Sequence, residues 1–260
     1  MKKITLIVVV LILGLASNAQ RNPDISIERY YHIQKGKVWF HALGKNFYPI
    51  SMGEVKTEEI LIYNSADVPV SFTTKELPDG YSLKFIPDPI PPKTEARIEI
   101  TFDTQAHGKY GPLLSYFYVY SSIEGERPYR MLMSPNVLED FSVLSEKEKA
   151  DAPVVTFDKT ESDFGTLPQM SVFNDVFVLT NTGKSDLIIR NVKAGCGCTH
   201  TNTSRDIIPA GESAELAFEY RTLHKRGTQD SKITVVTNDP NNPQMTLHIK
   251  GTVTEIEEDK

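Results

Sequence analysis

The stretch 95-EARIEITFD-103 alternates residue by residue between apolar and charged side chains. Ala96, Ile98, Ile100 and Phe102 fall on one side; Glu95, Arg97, Glu99 and Asp103 fall on the other. A period of two sends successive side chains to opposite faces of a strand, so one face is buried and the other meets water. The stretch 213-SAELAFEYR-221 repeats the pattern, with Ala214, Leu216, Phe218 and Tyr220 facing inward. Each follows a similar turn, 90-IPPKT-94 in one case and 208-IPAGE-212 in the other. Pro91 and Pro209 preset the backbone angle such turns need.

The parallel runs on along the chain. The segment 60-ILIYNSADVPVSFT-73 matches 177-FVLTNTGKSDLIIRN-191, each a strand ending in Asn and small polar residues before a second strand. Later, 115-SYFYVYSSIEGERPYRMLM-133 matches 231-SKITVVTNDPNNPQMTLHI-249, a hairpin-like pair around a turn rich in Gly, Pro or Asn. Matching positions lie roughly 112 to 118 residues apart, a spacing typical of whole domains. Each copy holds about seven short strands with turn signals about every 8 to 12 residues, the pattern of an immunoglobulin-like sandwich. The expected fold is therefore all-β: two tandem immunoglobulin-like β-sandwiches, residues 20–135 and 154–255, joined by a short, partly helical linker at 136–153. In that linker Leu138, Phe141 and Leu144 recur at helical spacing, which places the helix in its front half. The back half is charged and closes on Pro153, and residues 256–260 read as an acidic, solvated tail.

The opening residues, MKKITLIVVVLILGLASNAQ, have the form of a secretory leader: Lys2 and Lys3, an apolar run from Ile4 to Leu15, and a small-x-small site at Ser17-Asn18-Ala19. Cleavage is expected after Ala19. The apolar run is far shorter than the about 20 residues of a membrane span, and no cysteine follows it to carry a lipid. The expectation is an exported bacterial protein, periplasmic or on the cell surface, with no transmembrane segment in the mature chain. The formal charge of −6 becomes more negative once Lys2 and Lys3 leave with the leader. No basic stripe is present, which argues against nucleic acid as a partner.

The only cysteines lie in 193-KAGCGCTHTN-202. In an extended chain Cys196 and Cys198 lie on one face, about 6.6 Å apart at about 3.3 Å per residue. Disulfides accept Cα separations up to about 6.8 Å, and Gly197 permits the slight bend required. Export favours oxidation. A bridge over so small a loop is worth only about 1.6 kcal/mol, against about 3 for a 15-residue loop, and a strained bridge is a labile one. Three readings stand: a structural or passive bridge, which the residues favour; a copper or zinc site of Cys196, Cys198 and His200, which share one face if the strand is extended; and exchangeable or free thiols. A thioredoxin-like role is disfavoured, since that motif is Cys-x-x-Cys at a helix start.

In 113-LLSYFYVYSS-122, Tyr116, Tyr118 and Tyr120 share a face opposite Phe117 and Val119. Exposed tyrosine rows bind peptides or sugars well, having an apolar body and a polar tip. The alternative, favoured on pattern alone, is a strand buried on both faces, packed against the second domain. The remaining histidines are scattered, and no HExxH, GxSxG, Walker loop or GxGxxG is present. No constellation for acid–base or nucleophilic catalysis is visible, so a non-enzyme is expected.

The second half resembles the exported bacterial family known as domain of unknown function 1573. The carrying features are 163-DFGTL-167, 179-LTNTGKSDLII-189, 194-AGCGCT-199, 208-IPAGE-212, 233-ITVVTND-239 and 249-IKGTV-253, in the family's order. That family is similar to the ASH domains of the major-sperm-protein-like group, and the resemblance implies an immunoglobulin fold and an exported address but no reaction. The first half looks like a divergent copy, with 77-LPDGYS-82 where the cysteines would be. The functional expectation is a non-enzymatic envelope protein acting as a binding, adhesion or scaffold module on another envelope protein or surface component, without a cofactor. The alternative is a copper- or zinc-binding or thiol-active protein centred on Cys-Gly-Cys.

Overall fold

The computed structural model describes residues 27–255, most of them in or between short β-strands. The leader with its cleavage site after Ala19, and the tail at 256–260, lie outside the described residues. The two alternating stretches are central strands, Thr94–Asp103 and Ser213–Arg221. Each buries the expected face: Ala96, Ile98, Ile100 and Phe102 in the first, Ala214, Leu216, Phe218 and Tyr220 in the second. Burial of each large side chain contributes about 1.5–3 kcal/mol, which fixes register, since a slip of one residue would turn the row to water.

Around these strands the chain builds one topology twice. In the first sandwich a sheet runs Val38–Phe40, Val55–Asn64, Thr94–Asp103, Tyr81–Ile86, with Ile33–Lys35 added at the outer edge. Its counterpart in the second runs Val155–Phe157, Val172–Asn181, Ser213–Arg221, Thr199–Thr203. The facing sheets are Gly44–Lys45, Tyr129–Met133, Ser115–Ser121, Phe72–Thr74 and, in the same order, Glu161–Pro168, Gln244–Thr254, Gly227–Thr237, Leu187–Ala194. Both facing sheets carry a parallel edge pair in an otherwise antiparallel arrangement. Each sandwich has its own core: Phe40, Ile62, Ile98 and Phe117 sit in one, Phe177, Leu216, Phe218 and Ile249 in the other.

The duplication extends to buried polar side chains. Asn64 and Asn181 end matching strands and are sealed from water. The Asn64 amide donates to the carbonyls of Val68, Ile90 and Pro91 at 3.0–3.1 Å. The Asn181 amide donates to Ser185 (2.8 Å) and Ile208 (2.9 Å). Each Asn carboxamide oxygen accepts from a backbone N–H two residues on, Ala66 or Gly183. Each Asn thus ties its own turn to the Ile-Pro turn of the copy it belongs to.

The linker differs from its sequence reading. Asn136–Leu138 is a strand, paired with Ile50–Ser51 and Gly111–Pro112, and Val137 is part of the first core. Phe141–Val143 forms one 3₁₀ turn, and the α-helix lies in the charged back half at Glu146–Ala150. Ser145 and Glu148 close a reciprocal capping box there, which starts a helix without any apolar stripe. The spacing of Leu138, Phe141 and Leu144 misled because Leu138 is held by a sheet.

The polar contacts between the domains come largely from one strand of the second. Along Leu187–Ala194, Asn191 donates its amide to the Tyr110 carbonyl (2.7 Å) and Lys193 its ammonium to the Pro112 carbonyl (2.5 Å). Arg190 pairs with Glu139 and lies over the Tyr110 ring, 5.2 Å from its centroid. Gly111, at φ +84°, sits beneath the Val236 side chain, where a Cβ would collide.

Candidate binding surface

The strand Ser115–Ser121 lies in the outer layer of the first sandwich. Phe117 and Val119 enter the core, while Tyr116 is 54 % and Tyr118 42 % exposed, and Tyr120 is half-buried. The favoured sequence reading, burial on both faces against the second domain, is therefore corrected. The second domain docks on Tyr110–Pro112, just before the strand, through polar side chains that reach backbone carbonyls, and it leaves the tyrosine face uncovered.

Register decides what surrounds the row. Opposite Tyr116 stands Leu132 and opposite Tyr118 stands Arg130, both exposed on the neighbouring strand. The Arg130 guanidinium lies 4.7 Å from the Tyr116 ring centroid, and the Lys75 ammonium 4.8 Å from that of Tyr120. Tyr116 and Tyr118 meet edge to face at 6.4 Å. On the other side, Phe72–Thr74 pairs only with Val119–Ser121, and the chain then departs through Lys75, Glu76, Leu77 and Pro78. A groove of about 540 Å³ opens there, floored by Tyr116, Phe117, Tyr118 and Tyr120. Leu114, 63 % exposed, lies just beyond the first tyrosine. Lys75, Arg130 and Leu132 were not singled out from sequence, because only the strand register brings them to the row.

The hairpin behind the row is pinned by Glu126. Its carboxylate accepts from the Ser121 hydroxyl (2.7 Å), the Lys37 N–H (2.7 Å) and the Tyr129 hydroxyl. Burial, reinforced by the Glu126 carboxylate, pushes the Tyr129 phenol well above its ordinary range, so it stays a neutral donor.

The Cys-Gly-Cys stretch is a corner, not an extended strand. Leu187–Ala194 ends at Ala194, the chain turns through Gly195–Cys198, and the next strand begins at Thr199. Cys196 and Cys198 are joined Sγ to Sγ, with Cα atoms 5.2 Å apart rather than the extended 6.6 Å. The Thr199 N–H closes the turn onto the Cys196 carbonyl (3.3 Å). Cys196 Sγ stands 3.5 Å from the hydroxyls of both Thr199 and Ser231. The extended strand on which the three-ligand copper or zinc reading relied is replaced by a turn. His200 is paired opposite Glu219 and lines a hollow with Asn174, Asn202 and Ala217, whereas Cys196 lines a separate one with Lys225, Ser231 and Lys232. Among the described residues no three His, Cys, Asp or Glu side chains gather as a metal would require.

The repeated sandwich topology, the separate cores and the solvent-facing tyrosine row define a tandem immunoglobulin-like β-sandwich protein. Residues 155–253, the half that carries the sequence resemblance, match the model of the family described as protein of unknown function, DUF1573. A crystal structure of a protein of unknown function from Porphyromonas gingivalis W83 superposes with a TM-score of 0.63 at 15 % identity, over 84 % of this chain and 100 % of that one; the likeness is one of fold. Weaker likenesses, on which nothing below rests, include the ASH/PapD-like domain 7 of human CEP192 (TM-score 0.34, 11 % identity, 44 % and 93 % of the two chains) and the C. elegans major-sperm-protein family member WR4 (0.27, 16 %, 38 % and 97 %). No curated protein matches the chain.

Proposed function

We propose that the protein is a non-enzymatic binding module of the bacterial envelope, and that the groove along Tyr116, Tyr118 and Tyr120 takes an extended segment of another envelope protein. The observation that carries this reading is the row of uncovered tyrosines beside a sheet edge whose partner strand departs at Thr74. An extended chain fits the space left by that departure, and sheet edges beside side-chain pockets are a recurring way to hold peptides. Flat aromatic faces supply contact area at low entropic cost. Lys75 and Arg130, already over the rings, favour a segment carrying carboxylates. The envelope address rests on the leader at residues 1–19.

The test is selection from a displayed library of extended peptides. Selected peptides are expected to be enriched in acidic residues and to crosslink to residues 75–78 and 116–120. Tyr116→Ala combined with Tyr118→Ala should weaken them at least tenfold with the thermal midpoint unchanged. Peptides that bind the double variant as well as wild type, or a selection answered only by glycans, would remove the peptide reading. Turnover of peptide, ester or glycan substrates by the purified protein would remove the non-enzymatic one.

A further inference from the structure

The two sandwiches form the Cys-Gly-Cys corner twice, and only one copy carries a disulfide. In the second domain the Thr199 N–H bonds the Cys196 carbonyl (3.3 Å) and the Arg221 N–H bonds the Cys198 carbonyl (2.9 Å). In the first, the Tyr81 N–H bonds the Pro78 carbonyl (3.1 Å) and the Asp103 N–H bonds the Gly80 carbonyl (2.8 Å). Pro78-Asp79-Gly80 therefore makes the same two hydrogen bonds into the same strand pair with no sulfur, with Gly80 in the left-handed region (φ +79°) where Cys198 is not. The corner does not require the bridge, and a bridge across one residue removes little entropy from the unfolded chain. A structural role leaves the cysteines unexplained.

Their surroundings supply a chemical role. The hydroxyls of Thr199 and Ser231 both face Cys196 Sγ and stand 3.3 Å from each other. Lys225, Asp230 and Lys232 line the same hollow of about 220 Å³. The Thr199–Ser231 hydroxyl pair, with an O–H to donate, favours a thiolate at Cys196 over one at Cys198, which is half-buried beside the apolar core and has one hydroxyl at 4.0 Å. The tip of the loop is open: a Cβ on Gly197 would meet nothing within 4 Å.

From the corner formed without cysteines and the hydroxyl pair at Cys196, we infer that Cys196–Cys198 is a thiol–disulfide exchange site that accepts two electrons from a peptide or protein dithiol. The partner's thiolate forms a bond to Cys198 Sγ as the Sγ–Sγ bond breaks, and the electron pair leaves on Cys196 Sγ, held by Thr199 and Ser231. The partner's second thiolate then attacks its own first sulfur in the mixed disulfide, and Cys198 leaves as thiolate. The partner ends as a disulfide, and Cys196 and Cys198 end as thiols with the two protons the partner released. A leaving sulfur of lowered pKa speeds the first step.

The test is reaction of the oxidised full chain with reduced glutathione at pH 7, quenched in acid and mapped by peptide mass. The expected first product carries glutathione on Cys198 with Cys196 free, followed by a protein two hydrogens heavier. Thr199→Ala combined with Ser231→Ala should slow the first step at least tenfold and raise the pH at which Cys196 of the reduced protein is alkylated. Thr199→Ser, which keeps the hydroxyl, should exchange at the wild-type rate and keeps the test usable if the double variant does not fold. A bridge that glutathione leaves intact while it reduces free cystine, an adduct on Cys196, or an unchanged rate and alkylation profile in the folded double variant would each overturn the inference.

Discussion

At the scale of single residues, the buried polar side chains carry the sharpest expectations. Asn181 holds the carbonyls of Ser185 and Ile208, and its removal takes the side-chain donor from the buried bond to Ile208. Asn181→Ala is expected to cost about 1–3 kcal/mol, read as a lowered urea midpoint, and Asn64→Ala should behave alike in the first domain. Gly251 shows why a glycine stands in 249-IKGTV-253: its φ is +153°, and the Phe164 ring of 163-DFGTL-167 occupies the space a Cβ would take. Gly251→Ala should destabilise by about 1–3 kcal/mol, measured in the same way. At Asp175 burial raises the carboxyl pKa, but hydrogen bonds from Lys159 (2.6 Å), Ser162 (2.5 Å) and the Val176 N–H (2.8 Å) outweigh it and hold the group below its ordinary range. A folded value below the unfolded one stabilises the protein above the unfolded pKa of about 3.9. That contribution is lost as pH falls through the folded value. Asp175→Asn should therefore be less stable than wild type at pH 7, with the two urea midpoints converging as the pH falls below the ordinary carboxylate range.

At the scale of elements, the repeated corner makes one domain a control for the other. Since Pro78-Asp79-Gly80 turns the chain unaided, Cys196→Ser combined with Cys198→Ser should fold and lose no more than about 1.6 kcal/mol. A calorimetric scan checks this; a loss of several kcal/mol would make the bridge a structural element. The cysteines themselves stood out in the sequence, but the corner did not. A Cys-Gly-Cys run fits an extended strand as well as a turn, and the hydrogen bonds that select the turn come from Thr199 and Arg221, one of them twenty-odd residues away. The tyrosine row was legible as an alternating strand. Its exposure was not, because two apolar faces in a sequence do not say which of them another domain will cover.

At the scale of the molecule, the junction combines three side chains of one strand, Arg190, Asn191 and Lys193, reaching Glu139 and the Tyr110 and Pro112 carbonyls, with Gly111 packed beneath Val236 of the neighbouring strand. Neither core crosses it. Asn191→Ala combined with Lys193→Ala should leave both sandwiches folded while loosening their relative placement. The expected result is a broader distance distribution in small-angle scattering and faster proteolysis between 139 and 153, with far-ultraviolet circular dichroism unchanged. Among the described residues no helix is long and apolar enough to cross a membrane.

By itself the sequence determined the strands, their inward faces, the duplication of the fold and the Asn-turn and Ile-Pro pairs that mark it. These are local or periodic properties, written in alternation and turn chemistry. Only the tertiary structure decided which face of the tyrosine strand meets water, where the linker turns helical, that His200 and Cys196 line different hollows, and which residues join the domains. Each of those depends on contacts between segments far apart in the chain, and alternation along one strand carries no information about what arrives from another.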